Sequence, residues 1–452
     1  MNLKTNLKSV GIALCSLCLL VVLFSPGRTT RELAQRKYPN RIPVTFWHMW
    51  SAEWKDVVDK IVDRYNRSQD KYEVIALSVP GTSADTKFLL GTIGGDPPDV
   101  MAQWNQVIPT WADNDMLTPF DEVMTSEEKA RYTKEAYPVV QRIGAYKGKT
   151  YGIPIGINLS AIYYLPNDFR QAGLDPDHFP KTLELLSAAG ERLNRRDRNG
   201  NLTRVGFFPG LWQEMAPLFG GGFYDFGREH VSLDTRANLR AIEFLAASRK
   251  RLGYDQVVRF QAGLDSQSFS GGWPFIGGAY SAVVDGQWRV EQLAKYAPKL
   301  EYRTALIPAP SGGVVGGGFC NGNFMVLPKT ARHKRGAWDF IKFWSGIDKP
   351  ERAAEFYTMG GWLPLSPRIA DSPIYRAYIK KFPQFKTFVD GIGSKNLQVP
   401  PPVPYQVFLD DLVKKEQDLA LRGDISPTDA VRSLVDGVAN ELHRRKELGN
   451  HD

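Results

Sequence analysis

Cysteine is scarce: three residues in 452. Two of them, Cys15 and Cys18, fall inside the apolar run Val10–Phe24, which leaves Cys320 alone in the rest of the chain. A single thiol cannot close an internal disulfide, and no C-x-x-C or Cys/His spacing offers a zinc site. Leu14 and Leu17 occupy the places before the two N-terminal cysteines where lipoprotein processing needs a small residue. Charge of one sign is not concentrated either. The formal net charge is +8, but no block of five Lys or Arg occurs, so the chain lacks a compact nucleic-acid footprint. Catalytic signatures are missing: there is no G-x-S-x-G, no H-E-x-x-H and no P-loop, and the six His are scattered. His48 stands alone at a strand end and reads as a packing or surface residue. The acid pair Asp410-Asp411 lies on an exposed-looking helix face. Neither a cofactor nor a metal ion is implied. "DRNGN" (197–201) matches part of a calcium loop but lacks its terminal Glu, and reads as a β-turn.

Beyond Phe24 there is no second long apolar run. Lys4 and Lys8 precede Val10–Phe24, and Ser25-Pro26-Gly27 follows it, the pattern of an export signal cleaved before Arg28. A run of fifteen residues, apolar but for Ser16, is short for a membrane span, although a retained N-terminal anchor is the alternative. Either way the folded part is expected outside the cytoplasm, at the periplasmic or extracellular face of a membrane. Residues 28–41 are polar and basic and read as a linker.

What the sequence has in quantity is aromatic rings, 12% of residues with eleven Trp, and turn-formers, with 41 Gly and 30 Pro. Its length favours two lobes over one core. From residue 42 the pattern alternates. "IPVTFW" reads as a buried strand, and Trp54, Val57, Val58, Ile61, Val62 and Tyr65 recur at helical spacing. "KYEVIALSVP" is a second strand, Ala84–Ile93 a second helix and "DVMAQW" a third strand. This order predicts parallel pairing in an α/β layered lobe. "YKGKTYGIPIG" (146–156) reads as a hairpin and "NFMVLP" as a further strand. Helices are expected at Leu183–Leu193 behind an N-cap Thr182, at Thr235–Arg251, at Ala331–Trp344, and near 406–421 and 427–446.

Rings recur at strand ends and in glycine-rich loops. Trp47 and Trp50 end the first strand and Trp104 ends the third, beside Gln103 and Asn105. Trp212, Trp273, Trp288 and Trp362 lie in "GLW", "SGGWP", "DGQW" and "GGWLP". In open parallel sheets ligands bind beyond the carboxyl ends of strands. Rings interleaved with amides and carboxylates suit a sugar, whose C–H face packs on an aromatic plane while its hydroxyls need donors and acceptors. Trp54, Trp338 and Trp344 sit at helical period with aliphatic residues and read as core. Asp285 and Trp288 are expected to act together, Trp288 stacking on a ring and Asp285 accepting from its hydroxyls.

Several segments together resemble one family. "GGDPPDV" (94–100), "YKGKTYGIP" (146–154) with "AIYYLPNDFRQAGLDP", "KTLEL", "FIGGAYSAVVDGQW" (275–288), "AWDFIKFW" and "GGWLP" follow the order and spacing of extracellular solute-binding proteins of ABC sugar importers, the maltose-binding-like family. Pro166 and Ser281-Ala282 depart from the pattern. The resemblance implies a two-lobe periplasmic-binding-protein-like α/β fold with crossed connectivity. Lobe 1 would hold 42–156 with 303–350, lobe 2 157–302 with 351–446, and the ligand would lie in the cleft between them. It also implies capture of a mono- or oligosaccharide by a monomer without enzymatic turnover, and delivery to ABC transporter permease subunits. The candidate ligand-binding residues are Trp50, Gln103, Trp104, Asn105, Asn158, Trp212, Asp285, Trp288, Gly318 and Trp362, with Trp50 facing the ligand and Trp47 partly core. Two other readings stay open: a non-sugar solute (polyamine, phosphodiester or peptide) on the same fold, and an extracellular carbohydrate-active enzyme, which would need two carboxylates flanking the scissile bond.

Overall fold

The structure, a computed structural model, describes residues 36–79, 81–264 and 272–449. The segment expected to direct export, with both N-terminal cysteines, lies outside them. Among the described residues no helix is long and apolar enough to cross a membrane.

The first lobe is built as the alternating pattern requires. β1 (Ile42–His48) leads into α1 (Ala52–Ser68), β2 (Tyr72–Ser78), α2 (Gly81–Ile93) and β3 (Val100–Trp104). β1 pairs in parallel with both β2 and β3 and so lies between them. Its inner residues Val44, Phe46 and Trp47 are buried, as a parallel strand covered on both faces demands. The helix α1 turns Val58, Ile61, Val62 and Tyr65 inward at a spacing of three and four.

The strand that organises the whole molecule is β4 (Gly152–Tyr164). Its first part, Gly152–Leu159, pairs antiparallel with β7 (Gly318–Val326). Its last part, Ser160–Tyr164, pairs with β5 (Ala282–Gly286), and Ile162–Tyr164 also pairs with β6 (Arg303–Ala305). β7 in turn pairs with β3 over Asn323–Val326 and with β8 (Leu397–Gln398) over Gly318–Phe319. The sheet order is β5-β4-β7-β3-β1-β2. One strand thus leaves the first lobe and enters the second.

The remaining helices cover these strands. α3 (Leu183–Leu193) is capped by Thr182, whose hydroxyl accepts from Leu185 N–H, and α4 (Arg236–Leu252) by Thr235. α5 (Arg289–Tyr296) follows β5; α6 (Lys334–Ser345) and α7 (Pro350–Gly360) follow β7; α8 (Gln406–Arg422) and α9 (Pro427–Glu447) complete the described chain. A smaller apolar cluster joins α3, α4, α8 and α9 through Leu186, Ile242, Leu409 and Leu434. The larger cluster fills the first lobe and continues along β4 to Tyr163, Trp273 and Phe275.

Three expectations need correction. Residues 36–41 are not a free linker: Lys37 and Tyr38 donate their N–H to Glu73, whose other oxygen meets Arg36 at 2.9 Å. That anchor accounts for a buried carboxylate on β2. Residues 351–392, expected in the second lobe, pack largely on the first. Tyr357 donates to Pro154 O, Arg64 pairs with Glu355, and only the far end reaches β4 beyond the crossing, where Phe388 lies 5.8 Å from Tyr163. Conversely, the segment from β6 to Ser311 sits with the second lobe, since β6 pairs with Ile162–Tyr164 and Ser311 N–H donates to Glu184.

Candidate functional site: a polar seam where one strand crosses between lobes

Alternation along β4 and β7 sorts side chains onto two faces at the crossing. Asn158 and Ser160 share one face, and Asn321, which is paired with Asn158, points the same way; Leu159 and Cys320 point to the other. The Asn158 amide donates to Asn321 at 3.1 Å and accepts from Gln287 at 3.1 Å. Gln287 also accepts from Leu159 N–H and donates to Ile157 O, which locks the start of the turn after β5 to the crossing point.

Polar groups continue from Asn158 in both directions. Toward the first lobe, Gln103 at the end of β3 donates to Asp85 of α2 at 2.7 Å, and Trp104 follows with 39% of its surface exposed. Toward the second, Ser160 donates to Glu214 at 2.5 Å, Leu211 N–H donates to the other Glu214 oxygen, and Gln213 donates to Asp410 of α8 at 2.9 Å. Four carboxyls along this line are pushed above the usual carboxylate range, in each case chiefly by burial. For Asp85 the Gln103 amide offsets part of the effect, and for Glu214 the neighbouring Asp285 adds to it. Asp285 is raised despite Arg289, and Asp410 is pushed up to about 6. Carboxyls held out of water in a shared seam are a mark of a functional site.

The candidate residues fare unevenly. Gln103, Trp104 and Asn158 lie on the seam. Asp285 reaches it from β5, though one oxygen accepts from Gly286 N–H at 2.7 Å and the other from Arg289 at 2.8 Å, so its acceptors are engaged. Trp288 is half-buried and folds back over Gly286: a Cβ there would stand 2.0 Å from the indole, so only glycine fits. Trp212 is a correction. It is fully buried, its indole N–H donates to Asn238 O at 2.9 Å, and it meets Phe223 edge-on, which makes it a core plug of the second lobe. Trp50, expected to face a ligand, is buried in a stack with Trp344 at 6.1 Å and Trp362 at 5.8 Å. Trp362 is buried too, packed against Gly156. Trp47 is core, as expected. Asn105 spends its oxygen on Gly322 N–H at 3.2 Å, and Gly318 is a strand residue paired with β8; both hold the crossing together.

Sequence reasoning missed Asp85, Ser160, Glu214 and Asp410. The available signal was weak: Glu214 lies two residues after a tryptophan in a short helix, and Asp410 reads as one of an exposed pair until Gln213 is seen beside it. Trp54, expected in the core, packs against the core cluster at its edge. It is half-buried and lines, with Trp288, a crevice of about 430 Å³ between α1 and α5. A larger groove of about 870 Å³, lined by Arg142, Tyr146, Phe226 and Tyr405, lies behind the crossing: Arg142 donates to Leu397 O and sits on the Cys320 face of β7. It shares no residue with the seam. "DRNGN" is a turn, with Asp197 accepting from the backbone N–H of Asn199 and Asn201; among the described residues no cluster of metal-ligating side chains occurs.

Two α/β lobes joined by a strand common to both, with buried polar groups at the junction, define a two-lobe binding protein. The chain belongs to the bacterial extracellular solute-binding protein family, whose sequence model matches residues 60–384. Among its relatives, the sn-glycerol-3-phosphate-binding periplasmic protein UgpB of Salmonella typhimurium is 20% identical over 441 residues, covering 89% of this chain and 93% of that protein. Among solved structures, CpMnBP1 with mannotriose bound superposes with a TM-score of 0.75 at 23% identity, over 88% of this chain and 100% of that one. The sugar-binding protein MalE from Xanthomonas citri gives 0.74 at 20% identity, over 91% and 100%.

Proposed function

We propose that the protein captures a carbohydrate in the seam between its lobes and presents it to the permease of an ABC importer at the outer face of the membrane. It acts as a monomer, without chemical turnover, after export directed by residues 1–27. The observation that carries the ligand class is the chemistry of the seam: Asp85, Gln103, Asn158, Gln213, Glu214 and Asp410 are amides and carboxyls, with the exposed indole of Trp104 at one end. Sugar hydroxyls donate to such groups and a pyranose face packs on such a ring. The UgpB relatives raise glycerol phosphate as a rival. A phosphate dianion would face the carboxyls of Glu214 and Asp410 at close quarters, and such sites favour Arg and open helix N-termini instead. CpMnBP1, solved with mannotriose bound, and the sugar-binding protein MalE support the same choice.

Thermal shift across a library of sugars and glycerol phosphates tests the reading, because a ligand at about 100 times its Kd adds about 2.7 kcal/mol to stability. A sugar should raise Tm, and glycerol 3-phosphate should not. Trp104→Ala should weaken that sugar about ten-fold or more in calorimetry with Tm unchanged. Stabilisation by glycerol 3-phosphate alone would refute the assignment.

A further inference from the structure

The groove behind the crossing encloses about 870 Å³, the size of a small-molecule pocket. Both lobes wall it. From the first come Arg142 and residues 145–148; from the second come the hairpin 224–231, Tyr405 and one side of α9. On α9 the lining residues are Val435, Val438, Ala439 and Leu442, the i, i+3, i+4, i+7 spacing of a single apolar stripe. The stripe runs about 10 Å along the helix axis. Val431 and Leu434 pack inward in the second-lobe cluster, whereas Val438 alone of the stripe is fully buried. Arg142 stands on the first-lobe wall. It donates to Leu397 O at 2.9 Å, and its guanidinium lies 5.3 Å from the Phe226 ring. Its buried Nε has no hydrogen-bond partner, and among the described residues no carboxylate pairs with it. A cation taken out of water without a counter-ion costs free energy that an anion recovers. Lys147, on the same wall, shares the single carboxylate of Asp113 with Arg445, at 2.9 and 3.6 Å, so positive charge is in excess here. Glu229 and Asp234 line the second-lobe side and are exposed to water.

We propose that this groove is a second ligand site, which takes a carboxylate carrying an unbranched apolar tail. The head meets the side of the Arg142 guanidinium that Leu397 O leaves free, a charge-assisted pairing with the counter-ion that Arg142 lacks. The tail lies along the α9 stripe, in a groove that the rings of Tyr146, Tyr224 and Tyr405 also line. A sugar would offer no charge to Arg142 and no tail to the stripe, so the groove differs from the seam in chemistry as well as in place. The assignment stands or falls independently of the carbohydrate reading.

Calorimetry with hexanoate, octanoate and decanoate, each below the concentration at which it aggregates, tests this. Affinity should rise about four-fold for each methylene added, because each buries more apolar surface. Decan-1-ol, which has the tail without the charge, should bind about ten-fold or more weakly than decanoate. Arg142→Gln should bring the two to equal affinity. Ala439→Trp fills the groove from an exposed position on α9, so it should weaken decanoate about ten-fold or more with Tm unchanged, even if Arg142→Gln folds poorly. Trp104→Ala, in the seam, should leave the decanoate Kd within about two-fold. Binding of none of the three acids, equal affinity for decanoate and decan-1-ol, or a loss of decanoate affinity in Trp104→Ala as large as that in Ala439→Trp would overturn the site.

Discussion

His48 should make the fold measurably acid-sensitive. It ends β1 with no exposed surface, its ring 5.3 Å from Phe46 and 5.9 Å from Trp50, and neither ring nitrogen has a hydrogen-bond partner among the described residues. Burial penalises the imidazolium and holds its pKa at about 4, against an ordinary 6.5. The folded state therefore binds fewer protons than the unfolded chain between those values. Stability is intact above about pH 6.5 and is lost as pH falls toward 4. At pH 4.5 the loss from this residue comes to about 2.5 kcal/mol. Over roughly 400 residues unfolding as one unit, with about 2.1 cal/mol/K each, that is a Tm drop of about 3 °C. His48→Leu keeps the shape and removes the titration. Replacing two unsatisfied buried nitrogens with hydrocarbon should leave the variant at least as stable at pH 7.5. The quantity to measure is the difference in Tm between the two proteins by calorimetry at pH 7.5, 6 and 4.5, in which every other titrating group cancels. The gap should widen by about 3 °C toward acid; parallel curves would show that His48 meets no net burial penalty on protonation, and the reasoning would fail.

Asp410 carries the opposite sign. Its folded carboxyl titrates at about 6, above the unfolded value of about 3.9, so its burden on stability is absent below pH 4 and complete above pH 6. Asp410→Asn should raise Tm by about 1–3 °C at pH 7.5 and leave it unchanged at pH 4 by scanning fluorimetry. Trp212→Ala should cost about 3–5 kcal/mol in urea unfolding, the penalty of emptying a packed core site, in contrast to Trp104→Ala, which should cost little. Cys320 is fully buried, and burial raises its thiol well above the ordinary value; a thiol reagent should label it only in denaturant, and rapid labelling of the folded protein would contradict the packing.

The first lobe was legible because its signals are periodic. Apolar alternation and helix spacing between 42 and 104 predict β1, α1, β2, α2 and β3 in parallel order, and the cap Thr182 marks its helix to the residue, while the helix expected at Thr235–Arg251 runs one residue later, Arg236–Leu252, with Thr235 as its cap. The site was legible in kind and only partly in detail. Trp104 is a strand-end ring with open surface, whereas Trp50 and Trp212 carry the same local sequence signature and are buried, because what covers them comes from Trp344, Trp362 and Asn238, far along the chain. A local pattern cannot say which ring a distant helix will cover. The acids had the converse problem: Glu214 and Asp410 lie on helices that also carry buried apolar residues such as Trp212 and Leu409, and no local signal says that the packing of α8 against Gln213 brings Asp410 onto the seam. The lobe boundary near 350 was not legible for a related reason, since 351–392 is mostly short helices joined by turns, and their amphipathic faces do not name their partner.

The placement of Asn158 has a mechanical consequence. It sits where β4 passes from one half of the molecule to the other, which makes it the fulcrum of any opening and closing. A group at a fulcrum keeps its distance to a bound molecule through the swing, so it contributes the same free energy to the open and closed forms. A ligand shifts an equilibrium only through interactions that differ between its two ends. With the ligand seated as proposed, Asn158 would set how tightly it is held without favouring closure. On the proposed site, the work of closing would fall to groups far out on the arms, Asp85 and Trp104 on one and Gln213 and Asp410 on the other, and a molecule too short to touch both arms would bind without shutting the jaws.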